Sequence, residues 1–74
     1  RGSTTFEFTL PRHSAVRLEI YSLLGVKLHT LVDAVKPEGT HRVEWANDAL
    51  PSGVYTVVLR AGGGAAIRMM SVLR

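Results

Sequence analysis

The run Leu50-Pro51-Ser52-Gly53-Val54-Tyr55-Thr56-Val57-Val58-Leu59 restricts what this chain can fold into more than any other. Pro51 fixes φ, Gly53 tolerates positive φ and Ser52 can bond its own main chain, so the run begins with a turn signal. From Val54 on, the residues are β-branched and aromatic, a composition that suits a pleated surface and disfavours a helix. By alternation Tyr55, Val57 and Leu59 share one face, and Val54, Thr56, Val58 and Arg60 share the other. Neither face is cleanly polar, which predicts a central strand covered on both sides.

The rest of the chain is cut into similar lengths. Phe6, Phe8 and Leu10 alternate with Glu7 and Thr9 until Pro11 stops the run, as in a half-buried strand. After a turn over Arg12 to Ser14, Val16, Leu18 and Ile20 alternate with Arg17, Glu19 and Tyr21 in the cleanest period-two pattern present. Ser22-Leu23-Leu24-Gly25 reads as a tight connection, beyond which Val26 and Leu28 resume the apolar alternation against Lys27 and His29, making a hairpin. A helix over Glu19 to Leu31 would also place Ile20, Leu23, Leu24, Leu28 and Leu31 on one side. Gly25 in mid-run and the β-branched Ile20, Val26 and Thr30 weigh against it.

Polarity rises from Leu31 to Gly39, where Pro37-Glu38-Gly39 predicts a reversal. His41, Val43 and Trp45 then share a face opposite Arg42 and Glu44, and Ala46 to Ala49 loops toward Pro51. Gly62 to Gly64 reads as a flexible loop joining the Val54 strand to a last one over Ala65 to Leu73. That strand, ending at Arg74, is expected on a sheet edge, where its backbone groups can pair with something else. Short strands, frequent turn signals and no convincing helix predict an all-β fold. The architecture expected is a small antiparallel, immunoglobulin-like β-sandwich of about six to seven short strands, with a small open barrel as the alternative.

Seventy-four residues make a single domain over 1–74, which buries only about 60 % of the surface its unfolded chain exposes. There is no cysteine to reinforce so thin a core. The formal charge of +3 favours acidic partners weakly. Its bases are scattered, without the run that makes a nucleic-acid patch or a membrane-surface helix, so neither nucleic-acid binding nor membrane insertion is expected. No signal peptide, bilayer-spanning run or lipidation motif is visible.

Chemistry is equally sparse. His13, His29 and His41 have no ligand spacing and fall in turns or on the polar side of strand edges. Asp33 and Asp48 read as turn residues, and Gly62 to Gly64 lacks the strand-loop-helix setting of a phosphate cradle. No catalytic residue, metal site or cofactor is expected, and the chain does not read as an enzyme. Trp45 is expected in the core with Val43, which leaves Tyr21 as the better candidate for an exposed aromatic. Met69 and Met70 cannot both face inward on one strand, so one of them should add to an exposed apolar surface.

Taken in order, several motifs resemble one family. They are Ser3-Thr4-Thr5-Phe6 running to Leu10-Pro11, Val16 to Gly25, Pro37-Glu38-Gly39-Thr40-His41 with Val43 and Trp45, Leu50 to Tyr55, and a basic, aliphatic last strand. Together they resemble the C-terminal sorting domain of the type IX (Por) secretion system of Bacteroidetes and related bacteria, itself similar to the immunoglobulin-like domain of the flagellar hook-cap protein. The resemblance covers nearly the whole chain. It implies a non-catalytic secretion signal, borne C-terminal to a cargo domain that precedes residue 1, read by the outer-membrane translocon and cut off by a sortase-like surface peptidase. Secretion to the cell surface, with attachment of the cargo there, after transient passage through the periplasm is implied with it; a monomer is expected.

Carried over residue by residue, Gly53 and Tyr55 match the family's Gly-x-Tyr and Gly25 its Leu-Gly turn. Arg68, Met70, Val72, Leu73 and Arg74 match the terminal strand and become the recognition candidates. The chain departs from the pattern at Met69, where a second base is common, and at Ser71, where an aliphatic residue is usual; the Asn-Pro-Phe lead before the first strand is missing. Two further readings use the same fold: an accessory module that binds carbohydrate or spaces domains in a surface enzyme, and the hook-cap domain itself.

Overall fold

The structure is a computed structural model that describes residues 3–46 and 50–73. Among these, the chain forms six strands and no helix: β1 (Ser3–Leu10), β2 (Ser14–Ser22), β3 (Lys27–Lys36), β4 (Gly39–Ala46), β5 (Gly53–Ala61) and β6 (Gly64–Val72). They make two antiparallel sheets, one of two strands in the order β1-β4 and one of four in the order β3-β2-β5-β6. The chain changes sheet between β1 and β2, between β3 and β4, and between β4 and β5, so neighbours in space are often distant in sequence. The result is the expected all-β fold, a small β-sandwich.

Period-two alternation explains how the layers meet. Val16, Leu18 and Ile20 of β2 are 2 %, 2 % and 0 % exposed, and in register with them stand Ala61, Leu59 and Val57 of β5. Phe8 and Leu10 are buried from β1, with Phe6, Val43 and Trp45 packed against the same cluster. Covering both sheets at once is what makes this apolar set worth ordering, since burial scales with the area removed from water. β5 lies between β2 and β6, the central place its composition predicted, but its outward face is not covered as expected: Val58 is buried while Val54 is 39 % exposed and Arg60 is exposed.

The third strand differs from its expectation. Opposite β2 its register slips twice: Leu18 faces Val32 and Glu19 faces Thr30, then Ile20 faces His29 and Tyr21 faces Lys27. Leu31 and Leu28 are thus extra residues on β3, and each bulge shifts the phase of the alternation. Val26 and Leu28, expected inward, are 58 % and 38 % exposed. His29, expected on the polar side, instead packs on Trp45 with ring centroids 5.4 Å apart. The strand also runs on to Lys36, which puts Asp33 in the sheet opposite Arg17 and not in a loop. Asp48 lies outside the described residues.

Glycine chemistry sets two of the turns. The β2–β3 connection is closed by Gly25 N–H donating to the Ser22 carbonyl at 3.0 Å, with Gly25 at φ 90°. Between β5 and β6 the glycine run is a tight reversal, not a loose loop: Gly62 and Gly63 form the turn at φ 57° and 82°, and Gly64 already opens β6. Two successive positive φ angles match the right-handed twist of the flanking strands, and glycine adopts them at no steric cost.

Candidate functional site

The Gly-x-Tyr motif and the recognition candidates meet across one pair of strands. In the β5–β6 register Gly53 stands opposite Val72, Tyr55 opposite Met70 and Val57 opposite Arg68. Tyr55 is buried at 8 % exposure, and its hydroxyl donates to the Pro51 carbonyl at 2.6 Å. A tyrosine tied back to backbone a few residues upstream is a corner device of immunoglobulin-type sandwiches. Here it pins the start of β5 to the turn before it, with Leu50 buried alongside. Gly53, at φ 159°, lies under the ring, where an added Cβ would stand 3.7 Å from the hydroxyl oxygen. Gly25 belongs to the β2–β3 turn and has no part in this pair.

β6 is an edge strand, hydrogen-bonded to β5 on one side and without a partner strand on the other among the described residues. Its recognition candidates divide by parity. Val72 is 5 % exposed and Met70 packs on the core, so both are spent on the inside. Arg68 is exposed on the same side, its Nη1 donating to the Ile67 carbonyl at 3.0 Å. Leu73 is 91 % exposed just beyond the strand; Arg74 lies outside the described residues. The outward parity carries two residues that the family motifs do not single out as a pair, Ile67 and Met69, at 60 % and 70 % exposure. Of the two adjacent methionines, Met69 is therefore the outward one.

A groove runs beside this edge. It measures about 410 Å³ and lies between β1 and β6, with Phe6 on one wall, Met70 and Arg68 on the other, and Leu18, Val57 and Leu59 at the floor. It exists because a sheet of two strands cannot cover one of four. An apolar trough flanked by strand edges suits an extended peptide, whose backbone would bond to an edge while alternate side chains fill the trough.

The opposite face of the large sheet holds a second feature that local sequence does not reveal. Glu19 is 1 % exposed although it points away from the core. It accepts from the Tyr21 hydroxyl at 3.0 Å and from Lys27 Nζ at 3.3 Å, with Arg17 Nε and Arg60 Nε each at 4.0 Å. Arg17 also reaches Asp33 at 3.9 Å. Burial pushes the Glu19 carboxyl up, but the Tyr21 and Lys27 hydrogen bonds and the charges of Lys27 and Arg17 outweigh it and hold the group below the usual glutamate range. Tyr21, the expected exposed aromatic, is half-buried as part of this cluster.

The histidines are dispersed. His13 is exposed between β1 and β2, His29 packs on Trp45, and His41 Nε2 donates to the Pro37 carbonyl at 2.7 Å. Among the described residues no group of three or more His, Cys, Asp or Glu could hold a metal ion. Comparison with family models, curated proteins and solved structures finds none that matches this chain.

Proposed function

We propose that this chain is a non-catalytic C-terminal sorting domain, carried behind a secreted cargo and read by the type IX outer-membrane translocon. A sortase-like peptidase then removes it at the cell surface. The reading rests on the order of its motifs along the chain, and one structural observation carries it further. The strand holding the recognition candidates is a free edge, braced from behind by the Tyr55 corner and bordered by an apolar groove. Recognition by strand addition uses such an edge for main-chain bonds and such a groove for side-chain selectivity.

In this reading Arg68 and Leu73 are the contacts of the candidate set, Ile67 and Met69 join them, and Val72 with Met70 holds the strand in place. The test is to fuse residues 1–74 behind a periplasm-targeted fluorescent protein in a bacterium that has the system. Fluorescence should appear at the cell surface or in the medium. Retention in the periplasm, while an established sorting domain exports the same reporter, would sink the proposal.

A further inference from the structure

Over Gly64–Val72 the β6 strand pairs with β5 in unbroken register, without a bulge, and it contains no proline. Its other side is unpaired among the described residues. A long, regular, mostly apolar edge is a template for pairing with another chain. A second copy presents the same regular, bulge-free β6 edge over the same nine residues. Antiparallel pairing centred on the strand would set Ile67 against Met69 of the copy and join side chains that are 60 % and 70 % exposed into one apolar ridge.

One residue stands against that pairing. Arg68 is the only charge in β6 and occupies its fifth position of nine, so in the fully overlapped register the two Arg68 side chains would be directly opposite. Slipping by two residues either way leaves them diagonal neighbours on the same face, about 7–8 Å apart. Slipping by one turns the copy's apolar set to the wrong side. No ion pair neutralises Arg68 among the described residues; its guanidinium folds back on the Ile67 carbonyl. Glu7 lines the same groove but is paired with Arg42 at 3.7 Å.

From this placement we infer that Arg68 guards the β6 edge, closing it to a second copy of this chain by like-charge opposition. The guard needs no secretion machinery and stands or falls separately from the sorting role. Sedimentation velocity on the purified chain tests it. The natural sequence and Arg68→Glu should each sediment as monomers of 8.1 kDa. Arg68→Val should double that mass, tightening self-association by about tenfold or more, the scale of relieving a like-charge juxtaposition.

An equimolar mixture of the natural chain with Arg68→Glu should form a heterodimer that added salt dissociates. Two results overturn the inference: an Arg68→Val chain that keeps its strand circular dichroism yet stays monomeric, or a natural chain as dimeric as that variant. If Arg68→Val does not fold, the mixture decides alone, and its failure to associate overturns the guard.

Discussion

The Tyr55 hydroxyl donates to the Pro51 carbonyl at 2.6 Å, closing a loop of backbone at the point where the chain re-enters the large sheet. The ring is buried and its tip is the polar part, so the bond can be removed without opening a cavity. Tyr55→Phe should destabilise the fold by about 1 kcal/mol, the net worth of one hydrogen bond. At about 4–8 °C per kcal/mol for a domain of this size, the loss is readable in a thermal melt. Tyr55→Ala empties part of the core as well and should cost about 3–5 kcal/mol, enough to unfold a chain of such marginal stability. A Tyr55→Phe melt indistinguishable from that of the natural chain would remove the corner as a support for β5.

Glu19 predicts an acid-sensitive stability. Its folded carboxyl titrates below the usual glutamate range, while in the unfolded chain it returns to that range. A group depressed by folding stabilises at pH above its unfolded value, and that contribution is lost as pH falls through the folded value. Urea midpoints should therefore drop below the usual glutamate range, and Glu19→Gln should flatten that drop. At neutral pH Glu19→Gln should already be less stable, because Arg17, Lys27 and Arg60 keep their charges and lose the negative charge they share. Parallel midpoint curves for the two chains from pH 7 to pH 2 would contradict the assignment.

How much of this was legible in the sequence depends on which forces set each element. β2 was readable because Val16, Leu18 and Ile20 alternate without interruption. β3 was not, because the bulges at Leu28 and Leu31 turn His29 inward and leave Val26 out, and a bulge is fixed by the partner strand and not by local composition. Asp33 looked like a loop residue because an edge strand with one wet face is as polar as a loop. Parity required one of Met69 and Met70 to face out but could not say which, nor that Met70 and Val72 are spent on the core. The burial of Glu19 was out of reach altogether, since long side chains from β2, β3 and β5 make it.

The β5–β6 turn gives a clean backbone prediction. Gly62 sits at φ 57° and Gly63 at φ 82°, with open space where either Cβ would project. Conformation, and not crowding, therefore selects glycine here. Gly62→Asn should be tolerated or slightly stabilising, because asparagine adopts this region readily and restricts the unfolded chain. Gly62→Val should cost about 1–2 kcal/mol from the left-handed penalty on a β-branched residue. Urea denaturation of both variants checks the order, and a reversed order would mean that the turn is not built on positive φ.

The burial pattern of β6 also decides how the export proposal must be tested. Deleting residues 70–74 removes Met70 and Val72, which pack in the core, so lost export after such a truncation would report unfolding as readily as lost recognition. Substitutions on exposed positions separate the two. Met69→Asp and Leu73→Asp change side chains that are 70 % and 91 % exposed, and surface changes of this kind usually stay within about 0.5 kcal/mol. Both variants should melt with the natural chain, and both should export the fluorescent cargo several-fold less. Leu24→Asp, at 94 % exposure on the β2–β3 turn and away from the edge, should export normally. If all three exported alike, the translocon would have to read something other than Met69 and Leu73, and Arg68 and Ile67 would be the only exposed contacts of the last strand left to carry the proposal.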